Sequence, residues 1–191
     1  MAMKPCAALT NEFSRFDMAS ALMLNYANEI EFGPSGPILE VGCGYGRNVL
    51  ALARLNIPII AVDNDFARLH ELAQFARNER INALGDVNIV CADLLCNSWP
   101  IRKDSLSGIL CVHFPDLKPV GMFHEYIKTG GWLCIETFGA HGENYRQLPS
   151  KGEIYEVLKS HFTFLHYKEK RVGRRDSDAI TVKLFARKRE D

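Results

Sequence analysis

The sequence predicts an α/β fold built on a doubly wound, mostly parallel sheet, and three features of the chain predict it. Apolar runs alternate with helix-periodic stretches along most of its 191 residues. The first five runs are nearly continuous in Ile, Leu, Val, Cys and Ala, the pattern of strands buried on both faces. The last two are joined only by the polar segment Glu169 to Asp178, too short for a helical crossover, and read as an antiparallel hairpin.

Residues 1–36 hold a helical candidate, Phe13–Ile30, with Ala, Met, Leu and Tyr on its apolar positions. This N-terminal cap is expected to pack over the sheet edge or the binding cleft. The strands then follow as Pro37–Gly42, Ile57–Asp63, Val87–Asp93, Ser107–His113 and Gly131–Thr137, with Phe162–Lys168 and Ala179–Ala186 closing the chain. Asn48–Leu55 opens a helix straight after a glycine loop. Asp65–Ile81 carries Leu69, Leu72, Ala73 and Ala76 on one face, with Asp65 as its N-cap. Pro119–Ile127 starts with a first-turn proline and stops before Gly130-Gly131, and Gly152–Lys159 is the last helix. Leu94–Leu106 shows no helical period, so that crossover is left open. With no linker or repeat, residues 1–191 read as one domain, a cap over 1–36 and a core over 37–188.

Composition removes several function classes. A chain of this length can bury roughly 70% of its unfolded surface, so it folds without a disulfide or a metal. Lys plus Arg (23) equals Asp plus Glu (23), which gives no chain-wide field for nucleic acid or an anionic membrane. No apolar run reaches membrane-spanning length, and Met1 to Thr10 does not read as a signal peptide. Six cysteines occur without a C-x-x-C pair. Cys43, Cys91, Cys111 and Cys134 lie in or beside apolar runs and read as buried hydrophobes in a reducing cytoplasm, with no metal site.

The first strand runs into Glu40-Val41-Gly42-Cys43-Gly44-Tyr45-Gly46-Arg47-Asn48 and then a helix. Glycines here let the main chain turn sharply and approach a ligand. Asp63 closes the second strand 21 residues after Gly42, where a carboxylate can accept from both hydroxyls of a ribose. The third glycine comes one place early for the dinucleotide fingerprint, and an acid stands two before the first. An NAD-binding unit or a glycine turn without ligand are the alternatives. The pattern of acid, any residue, then G-x-G-x-G resembles the class I S-adenosylmethionine-dependent methyltransferases over roughly residues 36–188. That resemblance implies a Rossmann-like seven-stranded sheet, five parallel strands plus a reversed C-terminal hairpin, with S-adenosyl-L-methionine as cofactor. It places Glu40 near the methionine amino group and Gly42, Cys43, Gly44, Gly46 and Asn48 in the cofactor loop. Asp63 would take the ribose, with Asn64 beside it among the cofactor-binding residues, Asp93 and Leu94 would meet the adenine, and His113 would flank the methyl group.

The acceptor is less legible. Val112-His113-Phe114-Pro115-Asp116 lacks the amide- or acid-led Pro-Pro-aromatic motif of DNA and protein amide methyltransferases. Phe114-Pro115-Asp116 is similar to part of the tRNA guanine-N7 methyltransferase motif. Gly152-Glu153 and Tyr167-Lys168-Glu169 are similar to the small tellurite-resistance and thiopurine-type methyltransferases. The reading that follows is methyl transfer to a small-molecule acceptor, by a monomer or homodimer. An RNA or tRNA base methyltransferase and a non-catalytic cofactor-binding protein are the alternatives. His113 and His141 are the general-base candidates, because imidazole titrates near neutral pH. His141, Asn144, Tyr145 and Arg146, after the fifth strand, are the candidate acceptor wall. Lys159 to Asp191 carries ten Lys or Arg against five Asp or Glu, read as a solvated hairpin and tail rather than an RNA patch.

Overall fold

The computed structural model describes residues 19–53, 57–78, 87–96, 99–114, 116, 118–139, 149–172 and 179–190. Seven strands form one sheet: β1 (Ile38–Val41), β2 (Ile59–Asp63), β3 (Val87–Cys91), β4 (Leu106–Val112), β5 (Ile127–Gly139), β6 (Phe162–Arg171) and β7 (Ile180–Lys188). Their spatial order is β3-β2-β1-β4-β5-β7-β6. The first five are parallel, and β7 is inserted antiparallel between β5 and β6. The reversal of strand order between β1 and β4 opens a crevice at the strand ends.

Alternation along the buried strands sends side chains to two apolar clusters. Ile38, Ile59, Ala61, Leu110 and Trp132 pack under α1 (Ala21–Asn25), α2 (Ala27–Glu31), α3 (Arg47–Ala53) and α4 (Phe66–Asn78). Leu39, Val41, Ile109, Leu133 and Ile135 face α5 (Phe123–Tyr126), α6 (Glu153–Leu158) and Trp99 on the other side. Gly108, opposite Trp132, is a packing requirement: a Cβ there would stand 2.2 Å from the indole.

Several expectations change. β3 is half-buried to exposed along its length, because it is the sheet's edge strand. Cys91 is therefore exposed, against expectation, whereas Cys43, Cys111 and Cys134 are buried as expected; Cys96, beyond β3, is exposed too. The expected helix Pro119–Ile127 is a 3-10 turn (Lys118–Met122) followed by α5, and Ile127 already pairs with Leu106 as the start of β5. Gly130, at φ 74, bends that strand without ending it. The described part of Phe13–Ile30 is two short helices broken at Tyr26, whose ring stacks on Phe185 at 4.2 Å. Residues 13–18 lie outside the described residues. In the open crossover, Trp99 is buried, donates to the Leu94 carbonyl at 3.0 Å and stacks on Tyr126. Asp65 caps α4 as expected, its Oδ1 accepting from the Ala67 and Arg68 amides.

Candidate functional site

The ends of β1, β2 and β4, with the segment leaving β3, enclose a cavity of about 220 Å³. Gly42, Asp63, Asn64, Asp93, Leu94 and His113 line it, together with Val62, Arg68, Ala92, Leu95 and Phe114. Six residues nominated by sequence thus meet in one place. Arg68 and Phe114 were not nominated, since neither belongs to the glycine signature.

The glycine loop has its shape for stated reasons. Gly42, Gly44 and Gly46 have φ of 66, 54 and 77°, values that L side chains rarely adopt. A Cβ on Gly46 would stand 2.3 Å from Leu72, so α4 packs directly against the loop. At Gly44 a Cβ would meet nothing within 4 Å, so that face of the loop is open. The Gly44 amide donates to Asp63 Oδ2 at 2.8 Å, and the Asp65 amide donates to Oδ1 at 2.9 Å. Both oxygens keep a lone pair for further donors. Asp93 Oδ1 accepts from the Leu95 amide at 2.9 Å, an Asx turn that orients the segment after β3.

Glu40, on β1, is buried, and its Oε1 accepts from Asn48 Nδ2 at 2.7 Å. Its Oε2 is buried with no partner among the described residues. Burial pushes the carboxyl up to about 7, against the downward pull of the Asn48 amide and the Arg47 charge. Asn48 is itself held by the Ser20 amide, which donates to its Oδ1 at 2.8 Å. Two carboxylates beside Val62, Ala92 and Leu94, and an orphaned carboxylate oxygen near the loop, suit a nucleoside with a cationic arm. S-adenosylmethionine is such a molecule.

The other end of the cavity is built by long-range contacts. His113 follows β4 at φ 56°, which costs a non-glycine residue on the order of 1–3 kcal/mol. Its amide donates to the Glu136 carbonyl at 2.7 Å, and its ring stacks on Phe138 at 5.0 Å. Arg47 Nη2 lies 3.4 Å from His113 Nδ1. Lost hydration, then the Arg47 charge, hold the imidazole below its ordinary range. Burial would raise Glu136, but bonds from Lys183 at 2.6 Å and Ser20 Oγ at 2.8 Å outweigh it and hold the carboxyl low. His141, Asn144, Tyr145 and Arg146 lie outside the described residues. His124 and His161 stack on each other, His70 on Phe66, and His166 meets Tyr26 edge-on. Among the described residues no cluster could hold a metal ion, and no helix is long and apolar enough to cross a membrane.

Residues 38–131 match the family model described as a methyltransferase domain. No curated protein matches the chain in sequence. Among solved structures, TehB from Haemophilus influenzae aligns with a TM-score of 0.72 over 93% of this chain and 66% of its own, at 17% identity. Geranyl diphosphate C-methyltransferase from Streptomyces coelicolor A3(2), crystallised with Mg2+, geranyl diphosphate and S-adenosyl-L-homocysteine, aligns with a TM-score of 0.67 at 14% identity. That match covers 85% of this chain and 80% of the other. The 4+2 cyclase SpnF aligns at 0.70 with 18% identity, covering 89% and 81%. One sheet thus serves different reactions, and these likenesses establish the fold.

Proposed function

Taking this chain as the class I S-adenosylmethionine-dependent methyltransferase that its matched domain makes it, we propose that it methylates a small molecule at the cavity mouth beside His113, where β4 ends. The observation that carries the reading is the two-ended cavity. Carboxylates Asp63 and Asp93 line it with Gly42 of the glycine loop, and His113, whose ring stacks on Phe138 outside the lining, closes it from the end of β4. Asp63 accepts from the ribose hydroxyls, while Asp93 and Leu94 receive the adenine edge. The unpartnered Glu40 oxygen takes the ammonium of the methionine arm, and Asn48 acts through Glu40 by fixing its other oxygen. Cofactor bound there supplies a methyl on a sulfonium, whose sulfur leaves as a neutral thioether. The chain's own task is to align the acceptor with that methyl and exclude water. A small acceptor fits a mouth bounded by single side chains, and geranyl diphosphate, in the S. coelicolor complex, is of that size class.

The test is label transfer from methyl-labelled S-adenosylmethionine into two pools, small-molecule extracts and total RNA. Label in the small-molecule pool supports the proposal. Label confined to RNA, or none in either pool from a protein that binds S-adenosylhomocysteine, contradicts it.

A further inference from the structure

Phe114 lines the cavity without belonging to any sequence signature, and its surroundings point to a role. It follows His113 beyond the end of β4 and is half-buried. It packs against the apolar cluster that holds Val41 and Ile135 while still facing the cavity. A Cβ on Gly42 would stand 2.6 Å from its Cδ2 and 3.2 Å from its Cε2. The ring therefore meets the glycine loop directly, and a ligand arm that leaves Asp63 along Gly42 passes the ring. The cavity's carboxylates, Asp63 and Asp93, stand on the β2 and β3 side, where both accept from backbone amides. Arg68, the cation of the lining, pairs with Asp65 at 3.1 Å. Toward β4 the described lining is Gly42, His113 and Phe114, none of them a carboxylate. A cationic centre at that place has an aromatic face beside it in place of a counter-ion.

We propose that the Phe114 ring receives the sulfonium of S-adenosylmethionine through a cation–π contact, and so favours the charged cofactor over the neutral thioether S-adenosylhomocysteine. This deepens the methyltransferase reading and rests on it: a methyl delivered beside His113 puts the sulfur, one bond behind it, beside the next residue, Phe114. The positive charge leaves the sulfur as the methyl does, so the ring holds the ground state more than the transition state. Its contribution is to load cofactor and let product go, not to accelerate the transfer.

The experiment is calorimetry with S-adenosylmethionine and S-adenosylhomocysteine on three proteins. They are the wild type, Phe114→Leu, and the chain with 3,4,5-trifluorophenylalanine at position 114, which keeps a ring of similar size but strips the negative charge from its face. In both altered proteins S-adenosylmethionine affinity should fall roughly three- to tenfold, with S-adenosylhomocysteine affinity held within about twofold, as loss of a cation–π contact implies. Equal losses for the two ligands overturn the inference, because they make the ring a packing group only. An unchanged preference for the sulfonium overturns it as well. If Phe114→Leu does not fold, the fluorinated protein carries the same outcomes. A wild type that takes up neither ligand overturns the methyltransferase reading instead.

Discussion

The two ends of the cavity are made differently. At the β1–β2 end, contacts are short in sequence: Asp63 accepts from Asp65 and Gly44, Asp93 from Leu95, and Glu40 from Asn48. At the β4–β5 end they are long: Arg47 reaches His113 across 66 positions, and Ser20 reaches Glu136 across 116. The first end is a local device that a stretch of chain carries with it. The second exists only when the sheet, the N-terminal helix and the loop are assembled. A cofactor common to many reactions suits the first, and a particular acceptor suits the second.

Four outcomes break or sharpen that division. The largest is expected for Asp63→Ala, which frees the Gly44 amide and removes the ribose acceptor. Affinity for S-adenosylhomocysteine should fall about 100-fold or more by calorimetry, as loss of two bonds to a charged acceptor implies. A similar fall on changing Ser20 or Phe138 would erase the distinction between the ends. The next concerns Glu40. Folding raises its carboxyl from 4.5 to about 7, so the native state holds a proton that the unfolded chain releases. That stabilisation is complete below pH 4.5 and fades as pH rises through 7, by roughly 3 kcal/mol. Denaturant titrations of ligand-free protein from pH 4.5 to 8 should show the decline, and Glu40→Gln should flatten it. An unchanged slope in the variant would place the proton elsewhere.

Ser20→Ala removes the cap on the Met23 amide and the donor to Glu136, at a cost of about 1 kcal/mol of stability. Its S-adenosylhomocysteine affinity should stay near wild type while the acceptor KM rises. The smallest effect is on Cys91, exposed beside Ala92 and Asp93 of the cavity. S-adenosylhomocysteine should slow its alkylation modestly, read by peptide mass spectrometry, and leave buried Cys111 unreactive in either state.

The same contrast explains what the sequence revealed. The strands and the Asp63 end were legible because glycine spacing and strand-terminal acids are local. The exposure of β3 and Cys91 was not, because an apolar run does not say whether its strand lies at an edge. Gly130-Gly131 reads as a stop, yet it bends β5 without ending it, since Ile127 pairs with Leu106 first. Nor was the break legible at Tyr26, whose ring stacks on Phe185, far along the chain. His113 was legible as a position, but its contact with Arg47, 66 positions away, was not.

The most direct test is a titration of the wild-type protein with S-adenosylmethionine, S-adenosylhomocysteine and NAD in parallel. Saturable binding of both sulfur nucleosides, with none of NAD, is the expected result. Binding of NAD in their place, or of none of the three by folded protein, would contradict it.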